Sequence, residues 1–400
     1  MAFYTSSIKT NYYEPNVFAS KNRVEYRLDS DKMFLSNMRL LNVGNGSNNG
    51  ANQANRGCGA LRFVKTIELL DGSKSLCRLD NAGSVFTFMK VNNTNEANIG
   101  QHLLDKANLG YFFTNASLTV ATPTISPIAT RFDVNNTNLA YIDLSTLLPF
   151  LKASQVVPSM IFKSLKLVLT FADDTAGLNI NWLGAFSPLL AVDEMLNTDV
   201  SMAMLKNYKG FTWNEIENDQ YQIPEIEQNS LANKEVLVQR VNNQLKGFDN
   251  KMVKRCFIQK IVRNTTHYED FGSQGSAPLL RERLQVRKNG GNLYPGNGLD
   301  SPALIQNEVV QIWGEMNKST LTPYLGTLIS ENILGDFYLA FDLTGSRTNE
   351  LQIEYQRTVI KDKSAGHPDR TSYGISMNVY AEVEKVLQVN GDGSYRVMYV

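Results

Sequence analysis

In LKLVLTF, Leu165, Leu167, Leu169 and Phe171 fall on one side of an extended chain, and Lys166, Val168 and Thr170 on the other. This period of two marks a β-strand with one face toward a core. The strand closes a longer stretch, Leu139 to Phe171, that reads as strand, short helical turn, loop and strand. LAYIDL is a compact apolar run. Ser145 is placed to cap a brief helix through STLLPFL, where Pro149 is tolerated only in or near the first turn. Pro158 then closes the loop. A fainter copy begins at Phe337. FYLAFDLTGS parallels LAYIDLST, with Asp342-Leu343-Thr344 standing where Asp143-Leu144-Ser145 stood. In ELQIEYQ, Leu351, Ile353 and Tyr355 alternate with Gln352, Glu354 and Gln356, and YGISMNVYAEVEKV follows as NINWLGAFSPLLAV follows the first unit. Upstream, TIELLDGSKSL around Asp71-Gly72 is echoed by RLQVRKNGGNL around Asn289-Gly290, each a strand running into a glycine turn. The offset between copies drifts from element to element, as a duplicated domain with divergent loops would leave it.

Other stretches extend the strand-rich reading. EYRLDSDKMFLSNMRLLNVG supplies the first strands, strands resume from Leu61 to Met89, and Tyr111 to Val134 is extended sequence broken by Pro123 and Pro127. KEVLVQRV and MVKRCFIQKIVR read as strands, and VEKVLQV-NGDG-SYRVMYV as a hairpin. QHLLDKANLG predicts a short helix. Residues 191 to 211, AVDEMLNTDVSMAMLKNYKGF, form the one convincing helical segment and the natural interdomain connector. Gly44 to Gly59 and the Asn-rich stretch at 90 to 100 are loops by composition. Residues 1 to 22 are polar and aromatic without a period, which suits an extended arm lying on something else. Short strands with Gly, Asn and Pro turns predict an all-β protein of sandwiches or barrels. The division is an arm at 1–22, a first domain at 23–195, a connector at 196–220 and a second domain at 221–400.

Composition bounds the function. Four hundred residues accommodate two domains of about two hundred each, and 42% apolar content is enough for real cores. Lys plus Arg equals Asp plus Glu, 39 against 39, so the basic surplus of a nucleic-acid-coating protein is missing. A local basic patch stays open. Cys58, Cys77 and Cys256 are odd in number and widely spaced, which predicts no disulfide framework and a reducing compartment. The start of the chain has no basic-then-apolar signal pattern, and no run approaches the ~20 apolar residues that span a bilayer. The expectation is a soluble protein made in the cytosol. Asn115-Ala116-Ser117 and Asn264-Thr265-Thr266 then read as loop composition rather than glycan sites.

Catalytic templates fail. There is no GxxxxGK[ST], Gly44, Gly46 and Gly50 do not match GxGxxG, and no serine sits in GxSxG. His102, His267 and His367 are isolated and read as loop or surface residues rather than ligands or bases. The carboxylates Asp173, Asp174, Glu215, Glu217, Asp219, Glu225 and Glu227 include enough acids for a glycosidase pair, but solvated loops explain them more simply. Trp182, Trp213 and Trp313 could line a sugar groove, and core or subunit packing is the plainer reading. Lys251 to Arg255 and Arg281 to Lys288 look like strand faces rather than a nucleic-acid groove. No catalytic, cofactor-binding or metal residue is nominated, and no cofactor.

At this point a family resemblance enters. IDLSTLLPFLKASQVVPSMIFKSLKLVLTF followed by INWLGAFSPLL resembles the first-domain core of double jelly-roll major capsid proteins. These build the shells of adenovirus-like and tailless-phage-like DNA viruses, virophages, polinton-like viruses and large eukaryotic DNA viruses among them. LQVRKNGGNLYPGNG and KRCFIQKIV are similar to strands of the second roll. The resemblance is patchy, covers about a third of the chain, and lacks the long tower loops of many eukaryotic-virus members. It implies two consecutive eight-stranded jelly rolls, joined by short helices, in a chain that is a structural major capsid protein and not an enzyme. Three copies would form a pseudo-hexagonal capsomer of an icosahedral virion through aromatic-rich interfaces. Its partners would be itself, neighbouring capsomers, and penton and minor capsid proteins, with an internal membrane left open and no sequence-specific nucleic acid. It would be made in the host cytoplasm or nucleus and end in the virion. The strands would stand upright to the shell, and the loops at 44–59 and 90–100 would project outward. The arm with Phe3, Tyr4, Tyr12, Tyr13 and Phe18 would lie along a neighbour or on the inner face. A glycan-binding or host-attachment virion protein, and behind it a jelly-roll carbohydrate-active enzyme, remain alternatives because fold does not fix function.

Overall fold

The computed structural model describes residues 7–20, 23–41, 64–82, 85, 141–171, 189–225, 234–262, 282–301, 303–305, 307–308, 311–312, 337–343, 347–362 and 374–400. Within them strands dominate, as the alternating pattern requires, and gather into four antiparallel sheets. The chain divides into two units: Met1–Ile216 together with Glu384–Val400, and Glu217–Val383. The loops at 44–59 and 90–100, the helix expected near 101–110 and the strands expected from Tyr111 to Val134 lie outside the described residues.

The first unit carries β1 (Ile8–Tyr13), β2 (Val17–Ser20), β3 (Arg23–Arg27), β4 (Met33–Leu35), β5 (Arg39–Leu41), β6 (Val64–Asp71), β7 (Lys74–Asp80), β8 (Tyr141–Asp143), β9 (Val156–Pro158), β10 (Leu165–Phe171) and β11 (Leu189–Met195). One sheet has the order β8-β5-β11-β4-β9, with β1 also on β11, and the other β2-β3-β10-β6-β7. The alternating stretch is β10, at the centre of its sheet. Leu167 lies opposite Tyr26 and Leu69, and Leu169 opposite Val24 and Ile67. All six side chains are buried. At about 1.5–3 kcal/mol for each fully buried apolar side chain, this row fixes the register: a slip of one residue would turn Leu167 and Leu169 outward. The β6–β7 hairpin turns at Gly72, whose φ of 61° is left-handed and so favours glycine.

Four local expectations are corrected. Asp143, not Ser145, caps the turn after β8, accepting from the Ser145 N–H at 2.9 Å. The single helix divides into a 3₁₀ turn, Leu144–Thr146, and helix α1, Pro149–Ala153. Pro149 opens α1, where its missing N–H has no intrahelical partner to lose. The helix expected from residue 191 starts later. Ala191–Met195 belongs to β11, with every side chain buried, and α2 spans Thr198–Lys206 with Asn197 as its cap. Asp193 and Glu194 look like the polar face of a helix, but cross-strand partners hold them in the sheet. Finally, the N-terminal segment, expected as an extended arm lying on something else, is over its described length part of the chain's own sheets: β1 pairs with β11 and β2 with β3.

The second unit carries part of β12 (Phe211–Ile223), then β13 (Lys234–Gln244), β14 (Val253–Val262), β15 (Glu282–Lys288), β16 (Gly291–Asn292), β17 (Phe337–Asp342), β18 (Leu351–Asp362) and most of β19 (Ile375–Val389). Its sheets have the orders β12-β19-β14-β17 and β13-β18-β15-β16, and the last strand, β20 (Tyr395–Tyr399), pairs with the end of β19. This differs from the sequence division in two places. Residues 211–220 of the expected connector are strand, and Glu384–Val400 groups with the first unit. Both sheets feed one core: Cys256 and Ile258 on β14, Leu284 and Val286 on β15, Ile353 and Tyr355 on β18, Met377 and Val379 on β19.

Strand order matches the half-chain echoes. β3-β10-β6-β7 corresponds to β13-β18-β15-β16, and β8-β5-β11 to β17-β14-β19. LKLVLTF and ELQIEYQ thus occupy the same central place, each beside a hairpin. The second hairpin also turns on left-handed backbone, at Asn289 (φ 51°) and Gly290 (φ 79°).

Candidate functional site

The carboxylates of β12 sit on a strand, not in a solvated loop. Glu215 is 2% exposed. It accepts from Trp213 Nε1 at 2.7 Å and from the Arg78 backbone N–H at 2.6 Å, with Lys385 Nζ 3.7 Å away. Glu217 is paired with Lys251 at 2.7 Å. Asp219 accepts from the Tyr221 hydroxyl at 2.7 Å. The sequence NEIENDQYQI reads as solvated because its polar residues outnumber the apolar ones; Glu215 is buried and Glu217 half-buried because Arg78, Lys385 and Lys251 of other segments supply their donors. Glu225 is exposed. His102, His267, His367, Asp173, Asp174, Glu227, Trp182, Trp313 and Cys58 lie outside the described residues. Cys77 and Cys256 are buried, and burial pushes both thiols up, away from the reactive thiolate.

Trp213 packs rather than lining a groove. Its ring lies 5.2 Å from Phe150, edge to face, and 5.6 Å from Phe211. The cluster continues through Phe162, 6.1 Å from Phe150, to Tyr395 of β20, 4.9 Å from Phe162. Tyr395 donates to Asp71 Oδ2 at 2.6 Å, and Lys74 stands over its ring. The end of the chain is thereby fastened to the β6–β7 hairpin by packing, a charge-assisted hydrogen bond and a cation–π contact.

A second polar cluster holds the first sheet together. Asp193 accepts from Thr10 on β1, from Asn37 and from Arg39 on β5. Glu194 accepts from Asn11 and pairs with Lys32 at 2.8 Å. Burial would raise the Glu194 carboxyl, but the bonds from Lys32 and Asn11 hold it below its ordinary value.

The second unit buries full charges. Lys260 Nζ lies 3.0 and 3.1 Å from the two oxygens of Glu282, and both side chains are inaccessible to solvent. The Tyr355 hydroxyl donates to the same carboxylate. Arg357, 1% exposed, donates to Gln239 at 2.8 Å and to the Pro224 carbonyl at 3.1 Å. Burial pulls the Lys260 ammonium below its ordinary value, against the attraction of Glu282. Sequence reading missed this cluster, although Lys260 continues the inward positions of Cys256 and Ile258 by twos.

On the outer face of the same sheet, three arginines converge on one acid. Glu354 on β18 lies 3.0 Å from Arg287, 3.7 Å from Arg283 and 3.9 Å from Arg240. Over its described residues, Glu282 to Lys288, the stretch is strand, as its sequence suggested, and only the pairing with β18 and β13 brings Arg240 beside it. Among the described residues no group of three or more His, Cys, Asp or Glu side chains is placed to hold a metal ion, and no helix is long and apolar enough to cross a membrane.

Neither a protein-family model nor a curated protein sequence matches the chain. Solved structures match over nearly all of it. VP54 of the virus PBCV-1, fitted into a reconstruction of the virophage Sputnik, aligns with a TM-score of 0.53 at 12% identity, covering 98% of this chain and 97% of that one. A chain of the Sputnik virophage structure aligns with a TM-score of 0.53 at 10% identity, covering 98% and 88%. The mavirus major capsid protein aligns with a TM-score of 0.47 at 10% identity, covering 99% and 90%. The fold is the double jelly roll.

Proposed function

We propose that this chain is a structural major capsid protein, the repeated building block of an icosahedral DNA-virus shell. The observation that carries this reading is the end-to-end likeness to a chain of the Sputnik virophage particle, covering 98% of this chain and 88% of that one. Similarity confined to one roll would fit any β-sandwich; likeness through both rolls in the same order points to a shared architecture. The polar clusters support the reading in their own way. Glu215 and Glu217 of β12 and Asp193 and Glu194 of β11 each tie their strand to another segment of the scaffold, which is a structural use of charge.

In this reading three copies form the working unit. Each chain contributes two similar sandwiches, so a threefold ring presents six lobes and tiles a flat facet as a near-hexagon. The chain then meets itself first, neighbouring capsomers next, and penton and minor capsid proteins where the lattice changes. Its place is the virion. Electron microscopy of the purified protein tests this. Six-lobed particles with threefold symmetry are expected, and two-lobed single chains at every concentration would overturn the reading.

A further inference from the structure

We propose that the outer face of β13, β18 and β15 is a charged docking face for a second copy of this chain, and that it meets the acidic corner formed by Glu14, Asp29 and Asp31. The inference rests on the threefold reading above and names the surfaces that join one copy to the next.

The cationic side is built, not scattered. Gln356, Glu354 and Gln352 lie on one face of β18. Arg240 and Arg283 stand opposite Gln356 on its two sides, and Arg287 opposite Gln352. Arg283 and Arg287 are four residues apart on one strand, about 13 Å at strand rise, and Arg240 lies two strand spacings away. Each guanidinium is aimed by a bond from its Nε: Arg240 to Gln356, Arg283 to the Asn297 carbonyl, and Arg287 to the Asn292 side chain. Surface arginines normally lose rotamer freedom on binding; these have already lost much of it. Among the described residues one carboxylate, Glu354, lies within ion-pair distance of all three. A guanidinium carries five N–H donors, so the face holds a surplus of both positive charge and oriented donors.

The acidic side lies on the first unit. Glu14, Asp29 and Asp31 are exposed, and the Tyr13 hydroxyl reaches Asp29 at 3.2 Å, which places the two segments together. The nearby Lys32 is taken up by Glu194 at 2.8 Å. A chain with an acidic corner on one unit and a basic face on the other is complementary to its own copy head to tail, the kind of contact that closes rings. The formal balance of 39 against 39 charges then hides a division between surfaces. A nucleic-acid phosphate backbone is the competing occupant, and the experiment separates the two.

The test compares the full chain with Arg240→Glu/Arg283→Glu/Arg287→Glu, with Asp29→Arg/Asp31→Arg, and with the combination of both sets. Mass is followed by light scattering over a dilution series, and folding by circular dichroism. Each single set is expected to raise the concentration at which trimers dissociate by on the order of a hundredfold, and the combination to restore it. Trimers in the parent protein that neither set weakens would overturn this contact while leaving the threefold reading intact. A parent protein that is monomeric throughout would remove that reading instead. Singly reversed variants that are folded and dissociated, with no recovery in the combination, would overturn the pairing of these two surfaces. A random-sequence DNA duplex bound by the parent and released by the arginine set, with trimers unchanged, would assign the face to phosphate.

Discussion

The two units share a strand order and close their interiors differently. In the first, an aromatic cluster running from Trp213 through Phe150 and Phe162 ends on Tyr395, a residue of β20, so packing there depends on a segment distant in sequence. In the second, one apolar core fills the space between the sheets, and its Tyr355 joins a buried charged group of Lys260 and Glu282, with Arg357 also buried. The difference is between an interior packed mainly by aromatic rings around one buried carboxylate, Glu215, and one that buries a complete Lys–Glu pair. Packing degrades gradually as atoms are removed. A buried charge network tolerates loss of a whole pair better than loss of one partner, because the survivor is stranded without solvent.

The largest effect should therefore come from the second unit. Glu282→Leu strands Lys260 beside Arg357, whose charge already acts on it, and should cost about 3–5 kcal/mol. The double change Lys260→Met with Glu282→Leu should recover most of that loss, since the remaining Arg357 keeps Gln239 and the Pro224 carbonyl. Urea unfolding of the single and double variants measures the coupling. If the double variant were as unstable as the sum of its singles, the two charges would not be acting as a pair.

The first unit should respond in smaller steps. Tyr395→Ala removes a ring from the cluster and the bond to Asp71, and should cost about 3 kcal/mol. Tyr395→Phe keeps the ring and should cost about 1.5 kcal/mol, the range for a hydrogen bond to a charged group. Both losses should appear in the unfolding of the first unit, although residue 395 is far along the chain. Loss confined to the second unit would contradict the grouping of the C-terminal strand.

How much of this was legible beforehand depends on whether a residue's burial follows its own pattern or its partners'. Leu165 to Phe171 and Leu351 to Tyr355 alternate cleanly because only one face of each strand is strongly apolar, and both were read correctly. The glycine turns at Gly72 and Gly290 were legible for a local reason, since left-handed backbone favours few residues. Asp193, Glu194 and Glu215 were misread because their burial is made acceptable by Arg39, Lys32 and Trp213, none of which a local window can pair with them. On β19, Met377 and Tyr380 lie on opposite faces and both are buried, so no alternation was available. The arginine face needed three strands to assemble. Fold class was therefore carried by periodicity, while the polar clusters were carried by tertiary pairing.

The central claim is that two jelly rolls in one chain exist to make a ring of three. Light scattering of the purified parent protein across a wide dilution range tests it most directly. The account predicts one species at three times 44.8 kDa that persists on dilution, as an obligate interface should. A mass of 44.8 kDa at every concentration would contradict it.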